Sequence, residues 1–334
     1  ADGVNVADPT KVSLVANSLT GAGTVTYHND GTFTYTPAAG EQGTVTFQYQ
    51  IVDGDGDPSV ATVTINLLND STPTIGIAAG SDTSVNEAGL PPRGGEPAGS
   101  GEIADNNGAN NSDPSETATG ALTITTGSDT IGHLYVTDKN NVQIDVTNGG
   151  LVHGQYGDLT ITGTPATGYT YSYTLLDNTT GNGTHDDFAV QVVDSDGDPA
   201  STTLSIDIVN DVPHAVNDSA TQATENAAVT VDVFANDVPG ADGVNVADPT
   251  KVSLVANSLT GAGTVTYHND GTFTYTPAAG EQGTVTFQYQ IVDGDGDPSV
   301  ATVTINLLND STPTIGIAAG SDTSVNEAGL PPRG

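Results

Sequence analysis

An identical internal repeat constrains the fold of this chain more than any other feature of its sequence. Residues 1–94 recur without a change as residues 241–334, so the register shift, 241 minus 1, is 240 residues. A block of this length does not recur by chance, and a fixed period is the signature of a repeat architecture. The sequence therefore predicts a window cut from a tandem array with a 240-residue period.

Each period divides into a short and a long domain with similar endings. Segments 47–70 and 188–211 share alternating apolar residues, the pattern Val-Asp-x-Asp-Gly-Asp-Pro and a final Asn-Asp. Residues 1–70 have no counterpart of residues 213–240, and one or two strands at the other end could not bury a core alone. The predicted division is a truncated short domain (1–70), a long domain (71–212), a complete short domain (213–310) and the opening of another long domain (311–334).

Apolar and polar residues alternate along most of the chain, which is the period of a strand and not of a helix. Phe47, Tyr49 and Ile51 fall on one face of such a strand, and Asn-Asp-Gly at residues 29–31 separates two alternating runs as a hairpin turn does. Short strands with turn signals every ~8–12 residues are typical of Ig-like sandwiches. We predict an all-β chain of tandem Ig-like or cadherin-like β-sandwich domains arranged end to end.

The chain is strongly acidic, with 41 Asp and Glu against 5 Lys and Arg and a formal net charge of −36. Such a surface repels nucleic acid and anionic membranes and attracts cations. The chain has no Cys, so no disulfide can stabilise it, and a metal is the usual substitute outside the cell. Self-repulsion could also produce disorder, but the alternation is too regular for that. Because of this acidic surface, we expect no nucleic-acid partner. No stretch reaches the ~18 apolar residues of a membrane span, so we also expect no membrane insertion of this segment.

Three copies of one acidic loop carry the candidate chemistry. Their carboxylates belong to Asp53, Asp55 and Asp57, to Asp194, Asp196 and Asp198, and to Asp293, Asp295 and Asp297. Carboxylates at alternate positions repel one another unless a cation neutralises them. All the ligands would be hard oxygens, which fits Ca²⁺ and excludes zinc-type nitrogen or sulfur sites. We predict calcium as the cofactor, and the alternative is a solvated acidic hairpin without a metal.

The spacing of these loops is similar to the first half of an EF-hand loop, but the match fails after that. The sixth position holds Pro58, Pro199 or Pro298 where an EF-hand needs Gly, and the twelfth position has no Glu. The glycine-rich nonapeptide of calcium β-rolls is also missing. The predicted site is therefore a loop between two strands.

The linkers are expected to share these ions. The strand after each loop runs about eleven residues, or roughly 36 Å at ~3.3 Å per residue. It carries the chain to the opposite end of the sandwich, so each linker should approach the acidic loop of the next domain. The linker candidates are Asn69 and Asp70, which should approach the loop of Asp194, Asn210 and Asp211, which should approach the loop of Asp293, and Asn309 and Asp310.

Four weaker candidates lie outside the loops and linkers. Glu87 and Glu225 follow their linkers by about 14–17 residues, and Asp218 lies just inside the short domain. Ordinary turn roles are the alternative for these three. His185-Asp186-Asp187 is interpreted as a loop before a strand, with a peripheral metal ligand as the alternative.

Several stretches resemble known repeat families. Residues 30–47, with Asp-Gly-Thr-Phe-Thr-Tyr-Thr-Pro, resemble bacterial cadherin-like or VCBS-type repeats, and residues 149–199 resemble the ~143-residue repeat of type I secretion targets. Together they are similar to the extender region of giant RTX adhesins of Gram-negative bacteria. That resemblance implies type I secretion, an extracellular position at the outer membrane, calcium-dependent rigidity and attachment in biofilms.

The junctions resemble those of cadherins less closely. The linker Asn-Asp-x-x-Pro, the acidic loops and an early Glu are similar to calcium-bound cadherin junctions. The Asp-Arg-Glu motif of vertebrate cadherins is absent from this sequence, so cadherin residues cannot be transferred one by one.

The predicted function is a structural stalk that projects a distal binding domain, with neighbouring repeats of the same polypeptide as partners. None of the six His has a catalytic sequence context, so we expect no enzyme and no small-molecule substrate. The alternative is an adhesin head that binds a glycan, a protein or ice. Identical repetition argues against a head, because length is the function of a stalk.

Overall fold

Regular structure in this chain consists almost entirely of strands, which confirms the all-β prediction. The computed structural model describes residues 3–102, 112–321 and 324. Two compact units are present: Ala1–Asp211 with Gly240–Asp242, and Val212–Pro239 with Gly243–Gly334. We call them the first and the second unit, and we call residues 3–70 and 243–310 the first and the second copy of the repeated sequence.

The first copy contains a three-stranded sheet and a separate hairpin. The sheet has the order β1-β4-β5 and the hairpin is β2-β3. The predicted Asn-Asp-Gly turn joins the hairpin strands, with positive φ at Asn29 and Gly31. The strands are β1 (Val12–Leu14), β2 (Thr24–Tyr27), β3 (Phe33–Thr36), β4 (Gly43–Val52) and β5 (Pro58–Leu67).

The rest of the first unit contains two five-stranded sheets, β10-β9-β14-β15-β7 and β11-β12-β13-β8-β6. Their buried residues, among them Leu134, Tyr173 and Phe188, form one core. The strands are β6 (Thr74–Ile77), β7 (Ser84–Asn86), β8 (Thr117–Thr125), β9 (Ile131–Thr137), β10 (Gln143–Asp145), β11 (Gly150–His153), β12 (Gly157–Thr164), β13 (Gly168–Leu175), β14 (Thr184–Asp194) and β15 (Pro199–Val209). Two 3₁₀ turns, Glu87–Gly89 and Pro114–Glu116, are also present among the described residues of this unit.

The second unit contains a four-stranded sheet, β16-β22-β21-β18, and a three-stranded sheet, β17-β20-β19. Phe273, Phe287 and Tyr289 are fully buried in its core. The strands are β16 (Asp218–Thr221), β17 (Val229–Asp232), β18 (Val252–Leu254), β19 (Thr264–Tyr267), β20 (Thr272–Thr276), β21 (Gly283–Val292) and β22 (Pro298–Leu307). Residues 311–321 and 324 contain no strand.

Two details differ from the sequence interpretation. His185-Asp186-Asp187 lies inside β14 and not in a loop before it, because Asp186 is buried and accepts hydrogen bonds from the Gln155 and Tyr156 N–H groups and the Tyr173 hydroxyl, all at 3.0 Å. Residues 240–242 pack in the first unit, where the Ala241 N–H donates to Asp211 at 3.0 Å. The predicted domain boundaries otherwise stay a prediction.

Candidate metal centre

The acidic loop between β14 and β15 is shaped by its first aspartate. Asp194 Oδ1 accepts the backbone N–H groups of Gly197 at 3.1 Å and Asp198 at 2.8 Å. Gly197 has a φ of 113°, which a residue with a side chain rarely adopts. As a result, Asp194, Asp196 and Asp198 each place a carboxylate oxygen within 4.8 Å of the other two.

Two oxygens in this loop are buried without a hydrogen bond. Asp194 is 3% exposed, and its Oδ2 atom and the Oδ1 atom of Asp196 are buried and have no donor among the described residues. Leaving a buried carboxylate oxygen unpaired costs several kcal/mol, roughly, unless a proton or a cation compensates it. Buried carboxylate oxygens without donors are suitable ligands for a hard cation, so the loop fits Ca²⁺.

A linker residue and a second loop complete this acidic cluster. Asp70, Asp129 and Asp196 each offer a carboxylate oxygen, and the three oxygens lie within 4.8 Å of one another. The expected approach of Asp70 to the loop of Asp194 is thus observed, whereas Asn69 is exposed. The Gly40 N–H also donates to Asp196 Oδ2 at 3.2 Å.

Asp129 was missed by the sequence interpretation. It lies between β8 and β9, and the Ser71 hydroxyl donates to its Oδ2 at 2.8 Å. The only signal for it in the sequence is the Gly-Ser-Asp turn after an alternating run, which many hairpins share.

Glu87 and Asp211 are buried in the first unit and bind protein donors. Glu87 is 0% exposed and accepts from the Thr179 N–H at 2.6 Å and its hydroxyl at 2.9 Å. Asp211 accepts from the Ser100 N–H at 2.6 Å and its hydroxyl at 2.5 Å, and its own N–H donates to Glu87 at 3.3 Å. Both carboxylates thus have protein donors, and their role as metal ligands stays a prediction. Asn210, the other linker candidate, is half-buried.

The second unit repeats the loop between β21 and β22. Asp293 is 0% exposed, its Oδ1 accepts the N–H groups of Gly296 at 2.9 Å and Asp297 at 2.7 Å, and its Oδ2 has no donor among the described residues. Burial, followed by its neighbour Asp295, raises the pKa of Asp293 to about 7. Without a cation, Asp293 is therefore protonated more readily than an exposed aspartate.

The remaining loop, in the first copy, is the most open. Asp53, Asp55 and Asp57 place carboxylate oxygens within 4.8 Å of one another, but only Asp53 is partly buried. A side-chain hydrogen bond shared with Asp55, followed by the Asp57 N–H group that donates to Asp53, lowers the pKa of Asp53.

Glu225 and Asp310 are brought together at one end of the second unit. The Ser311 N–H and hydroxyl donate to Glu225 at 2.8 and 2.5 Å, and this lowers the pKa of Glu225. A hydrogen bond with Glu225 raises the pKa of Asp310, so the two carboxyl groups interact directly. Asn309 is exposed.

Asp218 lies elsewhere in the second unit, near Tyr289 and Asp237. The Tyr289 hydroxyl donates to Asp237 at 2.8 and 2.9 Å, and the Val216 N–H donates to it at 2.7 Å. Burial raises the pKa of both Asp218 and Asp237 to about 6. Among the groups of acidic residues that could hold a metal in the described ranges, none contains Asp218.

No helix among residues 3–102, 112–321 and 324 has the length and apolarity that a membrane crossing needs.

Two family models match parts of the chain. The bacterial Ig domain matches residues 210–306, and the bacterial cadherin-like domain matches residues 2–69. These families are typically structural or adhesion modules, and no enzyme family is indicated. The matches support cadherin-like and Ig-like repeats in tandem. No curated protein matches the chain.

Solved structures with some similarity include cadherin and cadherin-like extracellular domains. They include zebrafish RET cadherin-like domains 1 to 4 (10% identity, 89% of this chain and 65% of that chain, TM-score 0.25). They also include the protocadherin GammaB4 extracellular domain (14% identity, 89% and 43%, TM-score 0.29) and mouse cadherin-23 EC22-24 (14% identity, 89% and 86%, TM-score 0.34). The chain spans less than two thirds of the first two structures.

Proposed function

We propose that this chain is a stalk segment of a bacterial surface adhesin and that Ca²⁺ at its acidic junctions fixes successive repeats. The observation that supports this is the meeting of Asp70, Asp129 and Asp196 within 4.8 Å. Asp70 belongs to the predicted linker, and the other two belong to separate loops of the predicted long domain. A ligand set drawn from a linker and the next domain is what a junction clamp requires.

Electrostatics explains how the junction would respond to the cation. At 4 Å two like charges repel by about 4 kcal/mol at an effective dielectric constant of 20, so the cluster opposes close approach of the linker. Bound calcium would supply a divalent positive charge to these hard oxygen ligands, so that attraction to the ion would replace the repulsion among the carboxylates. Asp70, Asp129 and Asp196 would hold it, with the oriented oxygens of Asp194 and Asp198 beside them. The fold of the chain would position these carboxylate oxygens before the ion binds.

The remaining parts of the proposal follow from the repeats. We propose an extracellular position, export by a type I system, display at the outer membrane and a role in biofilm attachment, on the resemblance to RTX extender regions. The partners are neighbouring repeats of the same polypeptide, and the segment has no catalytic role. The bacterial Ig and cadherin-like matches support a repeated adhesion module of this kind.

The test is small-angle scattering together with thermal melting, with calcium and with a chelator. Calcium should lengthen the particle, reduce its flexibility and raise its melting temperature, because a ligand at 100 times its Kd stabilises by about 2.7 kcal/mol. Asp196→Asn should lose most of the calcium response. Asp207→Asn is the matched control, because Asp207 is exposed on β15 and the charge change is the same.

Scattering profiles and melting temperatures that do not change between calcium and chelator would contradict the proposal. An equal loss of response in Asp196→Asn and Asp207→Asn would also contradict it, because the effect would then come from net charge alone.

A further inference from the structure

Residues 240–242 are separated in sequence from the rest of the first unit. The chain leaves this unit after Asp211, and residues 212–239 belong to the second unit. It returns to the first unit for Gly240–Asp242, and from Gly243 it belongs to the second unit again. A short segment of the predicted short domain (213–310) is therefore part of the first unit. We call residues 240–242 the strap.

Ala241 is fully buried in the core of the first unit. It is 0% exposed and belongs to the same cluster of buried residues as Leu90. A larger side chain would overpack this core, because protein interiors are densely packed. Gly240 and Gly243 flank the buried residue with φ angles of 74° and 66°, which residues with a side chain rarely adopt. The backbone of the strap is therefore shaped to present a small residue to the core.

Both backbone groups of Ala241 bind charged side chains. Its N–H donates to Asp211 Oδ2 at 3.0 Å, and the guanidinium of Arg93 donates to its carbonyl oxygen at 3.3 Å. A buried peptide group needs a partner for its donor and another for its acceptor. Hydrogen bonds with an ionised partner are stronger than neutral ones. The first unit thus matches the polarity of this peptide, with an anion at the donor and a cation at the acceptor.

Other residues of the first unit hold Arg93 and Asp211 in place. The Arg93 side chain is 13% exposed and forms ion pairs with Asp177 at 3.3 Å and Glu96 at 3.5 Å. Asp211 is 5% exposed and accepts hydrogen bonds from the N–H and hydroxyl groups of Ser100. Because these contacts involve no residue of the strap, the rest of the first unit positions both charged groups.

Asp242 adds a side-chain contact next to the buried alanine. The Asn178 side-chain amide donates to Asp242 Oδ1 at 2.5 Å. Asn178 follows β13 and precedes Thr179, whose N–H and hydroxyl groups donate to the buried Glu87. The loop that carries Asn178 is therefore fixed to the interior of the first unit. Two successive residues of the strap are contacted, a small one through its backbone and an acidic one through its side chain.

We propose that Arg93, Asn178 and Asp211 form a binding site for the pair Ala241-Asp242, and that this site holds the strap without calcium. Its contacts are hydrogen bonds and apolar packing, so it acts independently of the calcium clamp in the proposed function. The site belongs to the predicted long domain (71–212), and the strap belongs in sequence to the predicted short domain. Burial selects a small residue at position 241, and Asn178 selects an acceptor side chain at position 242.

The experiment measures hydrogen exchange of the full chain by NMR, with chelator present. The Ala241 amide should exchange as slowly as amides of β13. Ala241→Leu should release the strap and raise the exchange rates at residues 241 and 100 about 100-fold, because both amides donate to Asp211. Ala247→Leu is the matched control, because Ala247 is exposed and the added volume is the same. It should leave both rates unchanged.

Asn178→Ala is the second variant, because it removes one side-chain contact and adds no volume to the core. It should raise the exchange rate of the Ala241 amide about tenfold, which corresponds to the loss of one hydrogen bond with a charged group. Amides of β13 should stay slow in this variant. It keeps the test decisive if Ala241→Leu also opens the core.

The proposal is overturned if the Ala241 amide of the unmodified chain exchanges in chelator at the rate of an unfolded peptide. It is also overturned if Ala241→Leu and Ala247→Leu change this rate equally, or if Asn178→Ala leaves it unchanged. Slow exchange that requires calcium would contradict the proposal as well, and it would leave the calcium clamp standing.

Discussion

The two copies of the repeated sequence fold alike but are buried differently. Their strand registers agree, since Val12 lies opposite Ile51 in one and Val252 opposite Ile291 in the other. Ile65 is nevertheless only partly buried, whereas Ile305 is 0% exposed. The alternation therefore determines which side chains share a face, and residues 213–239, which pair with β22 and β20 of the second copy, determine how completely that face is buried.

The acidic loops of the two copies differ in the same way. Asp53 and Asp293 accept the same pair of backbone N–H groups, at 3.1 and 2.8 Å in one and at 2.9 and 2.7 Å in the other. Local hydrogen bonds lower the pKa of Asp53, whereas burial raises the pKa of Asp293 to about 7. Identical loops can thus differ in their need for a cation.

The largest expected contrast comes from truncating the matched isoleucines. Ile305→Ala should destabilise the second unit by about 2–5 kcal/mol, because it leaves a cavity in a closed core. Ile65→Ala should cost clearly less, because its side chain already borders an open groove. Urea unfolding followed by hydrogen exchange in each unit measures both. Equal losses would mean that the groove is not open in solution.

With a chelator at pH 8, replacing the first aspartate of the acidic loop should change stability differently in the two copies. Asp293→Asn should stabilise the second unit by about 1 kcal/mol, because it removes a buried charge. Asp53→Asn should be neutral or slightly destabilising, because it removes a charge that hydrogen bonds favour. With calcium, Asp293→Asn should become destabilising. Melting curves in both buffers test this, and a shared sign in chelator would contradict it.

Asp218 and Asp237 should each reduce the stability of the second unit as pH rises from 4 to 7 in chelator. A group with a raised pKa binds more protons when folded, so its stabilisation is complete below the unfolded pKa and is lost through the folded pKa. For Asp218 and Asp237 this window runs from 3.8 to about 6. Asp237→Asn should remove about 1 kcal/mol of the dependence. Melting temperatures of the chain and the variant across this range check it, and parallel curves would exclude Asp237.

The smallest difference between copies is expected at the glutamates of residues 41 and 281. Each accepts from a tyrosine hydroxyl, Tyr35 at 2.5 Å or Tyr275 at 2.7 Å, and from a nearby backbone N–H at 2.9 Å. Glu41→Gln and Glu281→Gln should each destabilise the chain slightly and to the same extent, because each removes a charged acceptor of a tyrosine hydroxyl. Chemical denaturation should give values that agree within error, and a clear difference would show that even this local network depends on residues 213–239.

The fold class and the approach of Asp70 to Asp196 were predictable, because the first follows from local periodicity and the second from the length of a strand. Alternation assigned Phe47 to the buried face, and the length of the last strand placed Asp70 at the acidic loop of Asp196. A strand of fixed rise leaves few positions for its end, so sequence distance becomes spatial distance.

Other features could not be predicted because they depend on contacts that are distant in sequence. Asp129 lies in the cluster and accepts a hydrogen bond from the Ser71 hydroxyl. The sequence does not show which turn will lie beside the linker. Asp186 is polar and lies between two polar residues, yet it is buried and accepts hydrogen bonds from three donors outside its own strand. The strands β16 and β17 are only four residues long and receive their stability from the second copy.

Crystals grown in calcium, with anomalous diffraction measured at long wavelength, test the central claim most directly. The account predicts an anomalous peak at calcium–oxygen distances of about 2.3–2.6 Å from the carboxylates of Asp70, Asp129 and Asp196. A map without a peak there, with these carboxylates turned toward solvent and hydrated, would contradict it.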